Sequence, residues 1–249
     1  MEANPPPAVH HRPLAKRLWY RLTQWVIGLV ARVWFRLVTE GRHNAPESGP
    51  AVFVCNHGSH LDPLLVGVFC PRIICYFARE TLFRGLFGVL IRSYDAIPVD
   101  QEGSALAGLR ATLARVKLGD AVLVFPEGSR TLDGRFQPMM PGVLTLLRRG
   151  KASLIPTAIN GAWEAMPYKA SYPKPKKIAI VYGEAIPHEQ LESMSNDAIM
   201  QLIDEQIRAC FTRAAELAGR DPAYSLSGPG KEPALLADAA GEAQSPTRA

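Results

Sequence analysis

The sequence predicts one α/β domain, built on a mixed, largely parallel sheet flanked by helices. Three observations carry this expectation. Short apolar runs rich in β-branched residues alternate with stretches of helical periodicity. The 249 residues, 47% of them hydrophobic, suffice for a single sizeable core. Two of the apolar runs end in polar turns, and the carboxyl ends of strands are where open α/β sheets bind ligands.

Residues 1–13 are rich in Pro and His and are expected to be disordered; they lack the apolar core and cleavage site of a secretory signal. Residues 14–40 form an amphipathic segment, helical over 14–38. Arg17, Arg21, Gln24, Gly28, Arg32 and Arg36 recur at spacings of 4, 3, 4, 4 and 4, which makes one stripe on a helix. Trp19, Trp25, Val26, Leu29, Val30, Val33 and Trp34 fill the other faces. The longest uncharged run, residues 22–31, is far short of the roughly 20 needed to span a bilayer. A helix lying in the membrane interface is expected, with anionic lipid contributing about 1 kcal/mol per nearby Arg. The alternative is a helix that packs its apolar side on the domain and leaves Arg in water.

The domain proper is expected over 41–220. Residues 41–50 read as a turn-rich linker, 51–55 as a strand and 64–69 as a helix. A strand over 71–78, an apolar helix over 80–91 and a short strand and turn over 96–101 follow. Residues 103–118 carry Leu106, Leu109, Leu113 and Val116 at helical core spacing. A strand over 121–125, a helix from Pro141-Gly142 to Arg149, and strands over 152–159 and 178–183 complete the alternation. The basic run at 174–177 reads as a solvated loop, with membrane contact as an added option. Residues 195–218 form an amphipathic helix with Ile199, Leu202, Ile203, Ile207, Phe211 and Leu217 on one broad face. From 221 to 249 the chain is rich in Pro, Gly, Ala and Ser, and a disordered tail is expected.

The net charge is +5, and it is local. Residues 1–45 hold seven Lys and Arg against Glu2 and Glu40, so that segment supplies all of it. No nucleic-acid motif accompanies the patch, and no nucleic-acid partner is expected. Cys55, Cys70, Cys75 and Cys210 have no paired spacing and read as free thiols in a reducing compartment. Cys55 lies two residues before His57, but on an apolar strand it reads as core rather than as a nucleophile.

The first polar turn is Asn56-His57-Gly58-Ser59-His60-Leu61-Asp62-Pro63. Five positions along one helix turn through about 140°, so His57 and Asp62 cannot share a helical face. They meet only if His57 stands on the turn and Asp62 in the first turn of the helix, as a base and its orienting carboxylate. Asp62-Pro63 is equally a good helix start, with Asp as N-cap. His57, His60 and Asp62 are metal-ligand types, but no second cluster completes a site and no metal is expected. The second turn, Phe125-Pro126-Glu127-Gly128-Ser129-Arg130-Thr131, carries a Gly for close backbone approach and an Arg able to grip phosphate.

Together, Asn56-His57-x4-Asp62 and Phe125-Pro126-Glu127-Gly128-Ser129-Arg130, about seventy residues apart, resemble the glycerolipid acyltransferase family. Its best-known members are the 1-acylglycerol-3-phosphate acyltransferases. The resemblance spans about residues 38–186, and Ile155-Pro156 matches a further family block. It implies transfer of a fatty acyl group from acyl-coenzyme A or acyl carrier protein to a lysophospholipid hydroxyl, in the first instance 1-acylglycerol-3-phosphate. His57 would be the general base and Asp62 its orienting partner. Glu127, Gly128, Ser129, Arg130 and Thr131 would form the acceptor block, with Arg130 on the phosphate. Asn56, Ser59, His60, Gln101 and Pro156 would surround the site.

An alcohol needs a base before it attacks, and a neutral imidazole supplies one near pH 7. A thiol leaves readily, so no enzyme nucleophile, metal or redox cofactor is expected. The resemblance also implies membrane lipids as partners and a peripheral or monotopic place on the cytoplasmic face of a membrane. Two residues depart from the family pattern: Gln101 follows Val99-Asp100 where an Arg is frequent, and Met140 precedes Pro141-Gly142 where a Lys is common. A lost charge-assisted phosphate contact costs roughly 1.5–3 kcal/mol, so Arg79, Arg84 or Arg92 compensates or the acceptor differs. The rival functions are a lipid-binding protein with an inactive site and a lipid hydrolase.

Overall fold

The computed structural model describes residues 14–75, 77–79, 88, 97–99 and 105–227. Helix α1 (Leu14–Trp34) leads into β1 (Val38–Glu40), a short 3-10 turn (Arg42–Asn44), β2 (Ala51–Cys55) and α2 (Asp62–Phe69). Strands β3 (Ile74–Cys75), β4 (Phe77–Arg79) and β5 (Ile97–Val99) precede α3 (Ala105–Lys117) and β6 (Ala121–Val124). Then come α4 (Gly142–Gly150), β7 (Ser153–Asn160), α5 (Ala162–Ala165) and β8 (Ala179–Tyr182). The described chain ends with α6 (His188–Glu192), α7 (Asn196–Ala218) and α8 (Ala223–Leu226).

The main sheet has the order β1-β8-β7-β2-β6-β3. Every pairing in it is parallel except β7 with β8. Strands β4 and β5 pair with each other, in parallel, as a separate ribbon. The mixed, largely parallel α/β expectation holds. Central β2 is Ala-Val-Phe-Val-Cys, buried at every position, as a strand covered on both faces must be. Its alternation divides the core. Phe53 and Cys55 pack with Leu65, Phe69 and Tyr182 on the side of α1 and α2. Val52 and Val54 pack with Val116, Leu147, Ile203 and Ile207 on the side of α3, α4 and α7.

Parallel register fixes where the two polar turns lie. Val54 is opposite Val124, so His57 and Glu127, each three residues farther along, emerge at the same edge of the sheet. Strand β7 flanks β2 on its other side with Cys55 opposite Thr157.

Several sequence expectations need correction. The helix over 14–38 ends at Trp34: Arg36 takes a positive φ of 47°, and Val38–Glu40 then enters the sheet beside β8. The segment boundary at residue 40 therefore falls inside the folded domain. The single strand over 71–78 is two pieces. Ile74–Cys75 extends the main sheet, and Phe77–Arg79 crosses to β5. The tail expected to be disordered from 221 is folded over 221–227. There Phe136 N donates to Ser225 O at 3.1 Å and Arg135 lies 4.8 Å over the Tyr224 ring. Helices α5 and α6 are short and carry no extended periodicity to announce them. The disorder expected for 1–13, most of the helix expected over 80–91, and Gln101, Arg84 and Arg92 lie outside the described residues.

The amphipathic α1 faces the opposite way from a core-packed helix. Tyr20, Gln24, Ile27 and Ala31 meet the domain, while Arg21 and Arg36 stay exposed: Gln24 Nε2 donates to Cys70 O at 3.1 Å, Tyr20 Oη to Gly67 O at 3.3 Å, and Arg32 lies 4.8 Å over the Phe69 ring. Its apolar side faces outward, with Leu22, Trp25, Val30, Val33 and Trp34 each half exposed or more. The helix therefore packs one narrow face on the domain and leaves its larger apolar side chains outward. Among the described residues no helix is long and apolar enough to cross a membrane.

Across the sheet, Tyr182 on β8 donates its hydroxyl to Val66 O in α2 at 2.7 Å, fully buried. Replacing it by Phe (Tyr182→Phe) removes one buried hydrogen bond and is expected to cost about 1 kcal/mol. For a chain of this size that lowers Tm by about 2–4 °C, readable by thermal unfolding.

Candidate active site

The turn after β2 is wound around one carboxylate oxygen. Asp62 Oδ2 accepts from Gly58 N at 2.7 Å, Ser59 N at 2.7 Å and His57 Nδ1 at 2.9 Å. Asp62 is fully buried. It is the first residue of α2, yet it does not cap that helix; Leu61 holds the N-cap position without a side-chain bond. The carboxylate turns back instead and ties down the loop before it. That oxygen already accepts from two backbone N–H groups, so Nδ1 stands to it as a donor and Nε2 is the ring nitrogen left off the carboxylate. The His57 side chain is 18% exposed, whereas its carboxylate partner has no exposure at all.

The second turn locks onto the first. Glu127 Oε1 accepts from His57 N at 2.8 Å, and its Oε2 accepts from Gln137 N at 2.8 Å. Thr131 N donates to His57 O at 2.9 Å. The Phe125 ring stacks on the His57 ring at 4.0 Å between centroids, 16° from parallel. Backbone, carboxylate and ring contacts therefore all converge on residue 57. Glu127 is buried at 4% exposure, and burial pushes its pKa up to about 8 against the two amide donors, which favour the ionised form.

The remaining candidates divide into those at the turn and those behind it. Gly128 has φ of +70°, and a Cβ there would stand 2.6 Å from Met140 Cε, so Met140 packs directly on the glycine. Arg130 lies 4.7 Å over the Tyr168 ring. Ser129 Oγ is buried with no hydrogen-bond partner among the described residues. Thr131 Oγ1 donates to Asp133 Oδ1 and accepts from Gly134 N, both at 3.1 Å, which closes its own loop. Ser59 Oγ donates to Met166 O at 2.8 Å, while His60 sits on the exposed side of the turn.

Two candidates stand away from the ring. Asn56 is bound through both side-chain atoms to the backbone of Ile159, at 2.9 and 3.0 Å, and joins β2 to β7. Pro156 sits inside β7 and packs against Gly183. Cys55 is fully buried, and its thiol is pushed far up by burial and by the charges of Asp62 and Glu127, which fits a core residue.

Sequence reasoning missed Trp163. It crowds both Gly58 and Gly134, where an added Cβ would meet it at 3.1 Å. With His57, Asp62, Glu127 and Thr131 it lines a cavity of about 30 Å³. Nothing in its local sequence announces this. Phe125 and Gln137 were also missed as site residues, although Phe125 opens the second motif. Among the described residues no group of three or more His, Cys, Asp or Glu could hold a metal ion.

Glu127→Gln keeps the shape but sets an NH2 against one of two backbone N–H donors. An orphaned buried donor costs about 1–3 kcal/mol, readable as a lower urea midpoint with an unchanged m-value. The pH dependence is a separate test. Between pH about 4.5 and about 8 the folded chain holds a proton that the unfolded chain releases. This group's contribution to stability is thus complete below the unfolded pKa and lost as pH rises through the folded one. In Glu127→Gln that part of the pH slope is expected to disappear.

An acyltransferase family model matches residues 36–160, half of the chain. A Bacillus subtilis 1-acyl-sn-glycerol-3-phosphate acyltransferase is 31% identical over 122 residues, 48% of this chain and 60% of that protein. A human protein, 1-acyl-sn-glycerol-3-phosphate acyltransferase alpha, is 27% identical over 205 residues, 78% of this chain and 70% of its own. Relatives from Bacillus subtilis and Cocos nucifera are matched over only 60% and 51% of their lengths. The crystal structure of the 1-acyl-sn-glycerophosphate (LPA) acyltransferase PlsC from Thermotoga maritima superposes with a TM-score of 0.69. It covers 85% of this chain and 86% of that one at 22% identity, a likeness of fold. With the family match extending over both polar turns, the chain belongs to the acyltransferase family.

Proposed function

We propose that this chain transfers a fatty acyl group from a thioester to a lysophospholipid hydroxyl, with 1-acylglycerol-3-phosphate as the acceptor and phosphatidate as the product. The observation that carries the reading is the buried Asp62 carboxylate on His57 Nδ1, which leaves Nε2 to take a proton. The acceptor oxygen attacks the thioester carbonyl carbon as Nε2 removes its proton. The tetrahedral intermediate then expels the thiolate, and the imidazolium returns the proton to sulfur. One C–O bond forms, one C–S bond breaks, and the base ends as it began. Asp62 holds the tautomer and stabilises the imidazolium between these steps. The donor is acyl-coenzyme A or acyl carrier protein, and the thiol's ready departure means that the proposed route uses no metal or redox cofactor.

Arg130 is proposed to bind the acceptor phosphate, with Gly128, Ser129 and Thr131 shaping the turn around it. Glu127 is proposed to place His57 rather than to touch the acceptor, because both its oxygens are engaged by backbone N–H groups. A second reading has one observation in its favour. Met140, 44% exposed, puts a thioether on Gly128 where the family commonly has a cation. An acceptor without a phosphomonoester suits that apolar contact better.

Membrane association rests on α1. Ten large apolar side chains exposed on one helix form an unusually broad outward face for a soluble surface. We place the chain as a peripheral or monotopic protein on the cytoplasmic face of a membrane.

His57→Ala is expected to lower kcat by about 10²–10⁴-fold while vesicle binding stays unchanged. Asp62→Asn should lose a comparable factor by presenting an amide to the ring. Thiol release measured with and without lysophosphatidate, other lysolipids and hydroxyl lipids decides among the readings. Release independent of any acceptor would mean hydrolysis, and none at all would leave a lipid-binding protein. Trp25→Glu and Val33→Glu are each expected to weaken partition onto neutral vesicles about tenfold or more, with Tm unchanged. Sedimentation with vesicles reads that directly.

A further inference from the structure

The segment between α5 and β8, residues 167–177, reads Pro-Tyr-Lys-Ala-Ser-Tyr-Pro-Lys-Pro-Lys-Lys. It holds four lysines and two tyrosines and no carboxylate. Lys169, Lys174 and Lys176 are exposed, and Tyr172 is 71% exposed. Such a run can be an idle solvated loop, but its attachments argue otherwise.

At its start the segment is fastened to the candidate active site. Ser59 of the His57 turn donates to Met166 O at 2.8 Å, and Arg130 lies 4.7 Å over Tyr168. The loop is closed on itself by Ala170 N to Pro167 O at 2.9 Å and by Lys174 N to Ala165 O at 2.7 Å. At its far end it is fastened to α1. Ile178, next after Lys177, donates from N to Phe35 O at 3.1 Å and accepts at O from Val38 N at 3.0 Å. Phe35 follows Trp34, the last residue of α1, where Val33 and Trp34 face outward at 73% and 50% exposure. The basic segment thus runs from the end of the outward apolar face to the residues around His57 and Arg130.

We propose that residues 167–177 form a second membrane contact, which recognises the negative charge of lipid headgroups and sets the active-site turn at the bilayer surface. This rests on the reading of α1 as the apolar anchor. The division of labour follows from chemistry. The outward face of α1 is apolar and contributes buried area. The segment has Pro167, Pro173 and Pro175, and its backbone lies outside any regular ladder, so it stays at headgroup depth rather than in hydrocarbon. Lysine ammonium groups and tyrosine rings both suit that depth. Each lysine near an anionic surface contributes about fivefold in partition. The lysophosphatidate substrate is itself an anionic lipid in that surface, so the contact also concentrates the acceptor near Arg130.

The test compares the full chain with the variant Lys169→Gln/Lys174→Gln/Lys176→Gln. Both are sedimented with phosphatidylcholine vesicles and with the same vesicles containing phosphatidylglycerol. Wild type is expected to bind the neutral vesicles through α1 and the anionic ones about tenfold or more tightly, a gain that high salt removes. The variant should keep the neutral binding and lose most of the gain, with Tm unchanged; the exposed Arg21 and Arg36 beside the apolar face keep the remainder. The corresponding Lys→Arg triple variant should restore the full gain. An undiminished gain in the Lys→Gln variant overturns the proposal. The same holds if the variant's only defect is slower transfer from an acidic carrier protein, because the segment would then read the donor. If wild type fails on neutral vesicles but the lysines still govern anionic binding, the α1 reading falls and this one stands.

Discussion

Two adjacent strands running the same way end at the same edge of a sheet, and the candidate site follows from that constraint. Strands β2 and β6 pair in parallel with Val54 opposite Val124. Each then runs three residues into a polar turn, one reaching His57 and the other Glu127. Motifs separated by 70 positions in the chain come within hydrogen-bond distance without any long loop to deliver them. An antiparallel pairing would have sent the turns to opposite edges. The fully buried Ala-Val-Phe-Val-Cys strand suits its central place in a sheet covered on both faces.

On that edge two buried carboxylates do different things. Asp62 gathers three donors on one oxygen, including the imidazole, and so acts on the ring. Glu127 gathers two backbone amides, one on each oxygen, and so acts on the chain carrying the ring. Burial, with the nearby charge of Asp62 adding to it, disfavours the ionised form of Glu127 and raises its pKa. Burial of this kind is costly without donors. The amides at residues 57, 58, 59 and 137 offset the cost, and they are available because the turns leave them out of any sheet ladder.

The N-terminal helix carries an amphipathic pattern whose large apolar side chains the fold leaves outward. Its polar stripe resembles a solvent face. In the fold Gln24 bonds to Cys70 at the end of α2 and Arg32 lies over Phe69, Arg21 and Arg36 stay exposed, and the large apolar side chains are left outward. A soluble surface would rarely expose ten large apolar side chains on one helix. The basic segment is tied to the end of this helix through Ile178, whose N donates to Phe35 O.

Much of the fold was legible in the sequence because the strands are short β-branched runs and the long helices are periodic. β2, β6, β7, β8, α3 and α7 follow from those patterns to within a few residues. The pairing of His57 with Asp62 was legible too, since their five-residue separation meets only across a strand-to-helix turn. The division of 71–78 between two sheets, the entry of Val38–Glu40 beside β8 and the folding of 223–226 were not, because distant partners decide them. The sequence by itself determined the α/β class, the two chemical turns and the amphipathic character of the first helix, since each is a local pattern of residue types. Tertiary structure alone decided that Glu127 holds the His57 backbone, that Phe125 and Trp163 pack the site, and which side of α1 faces out. Those outcomes depend on strand register and on contacts between residues far apart in the chain, and no local pattern encodes either.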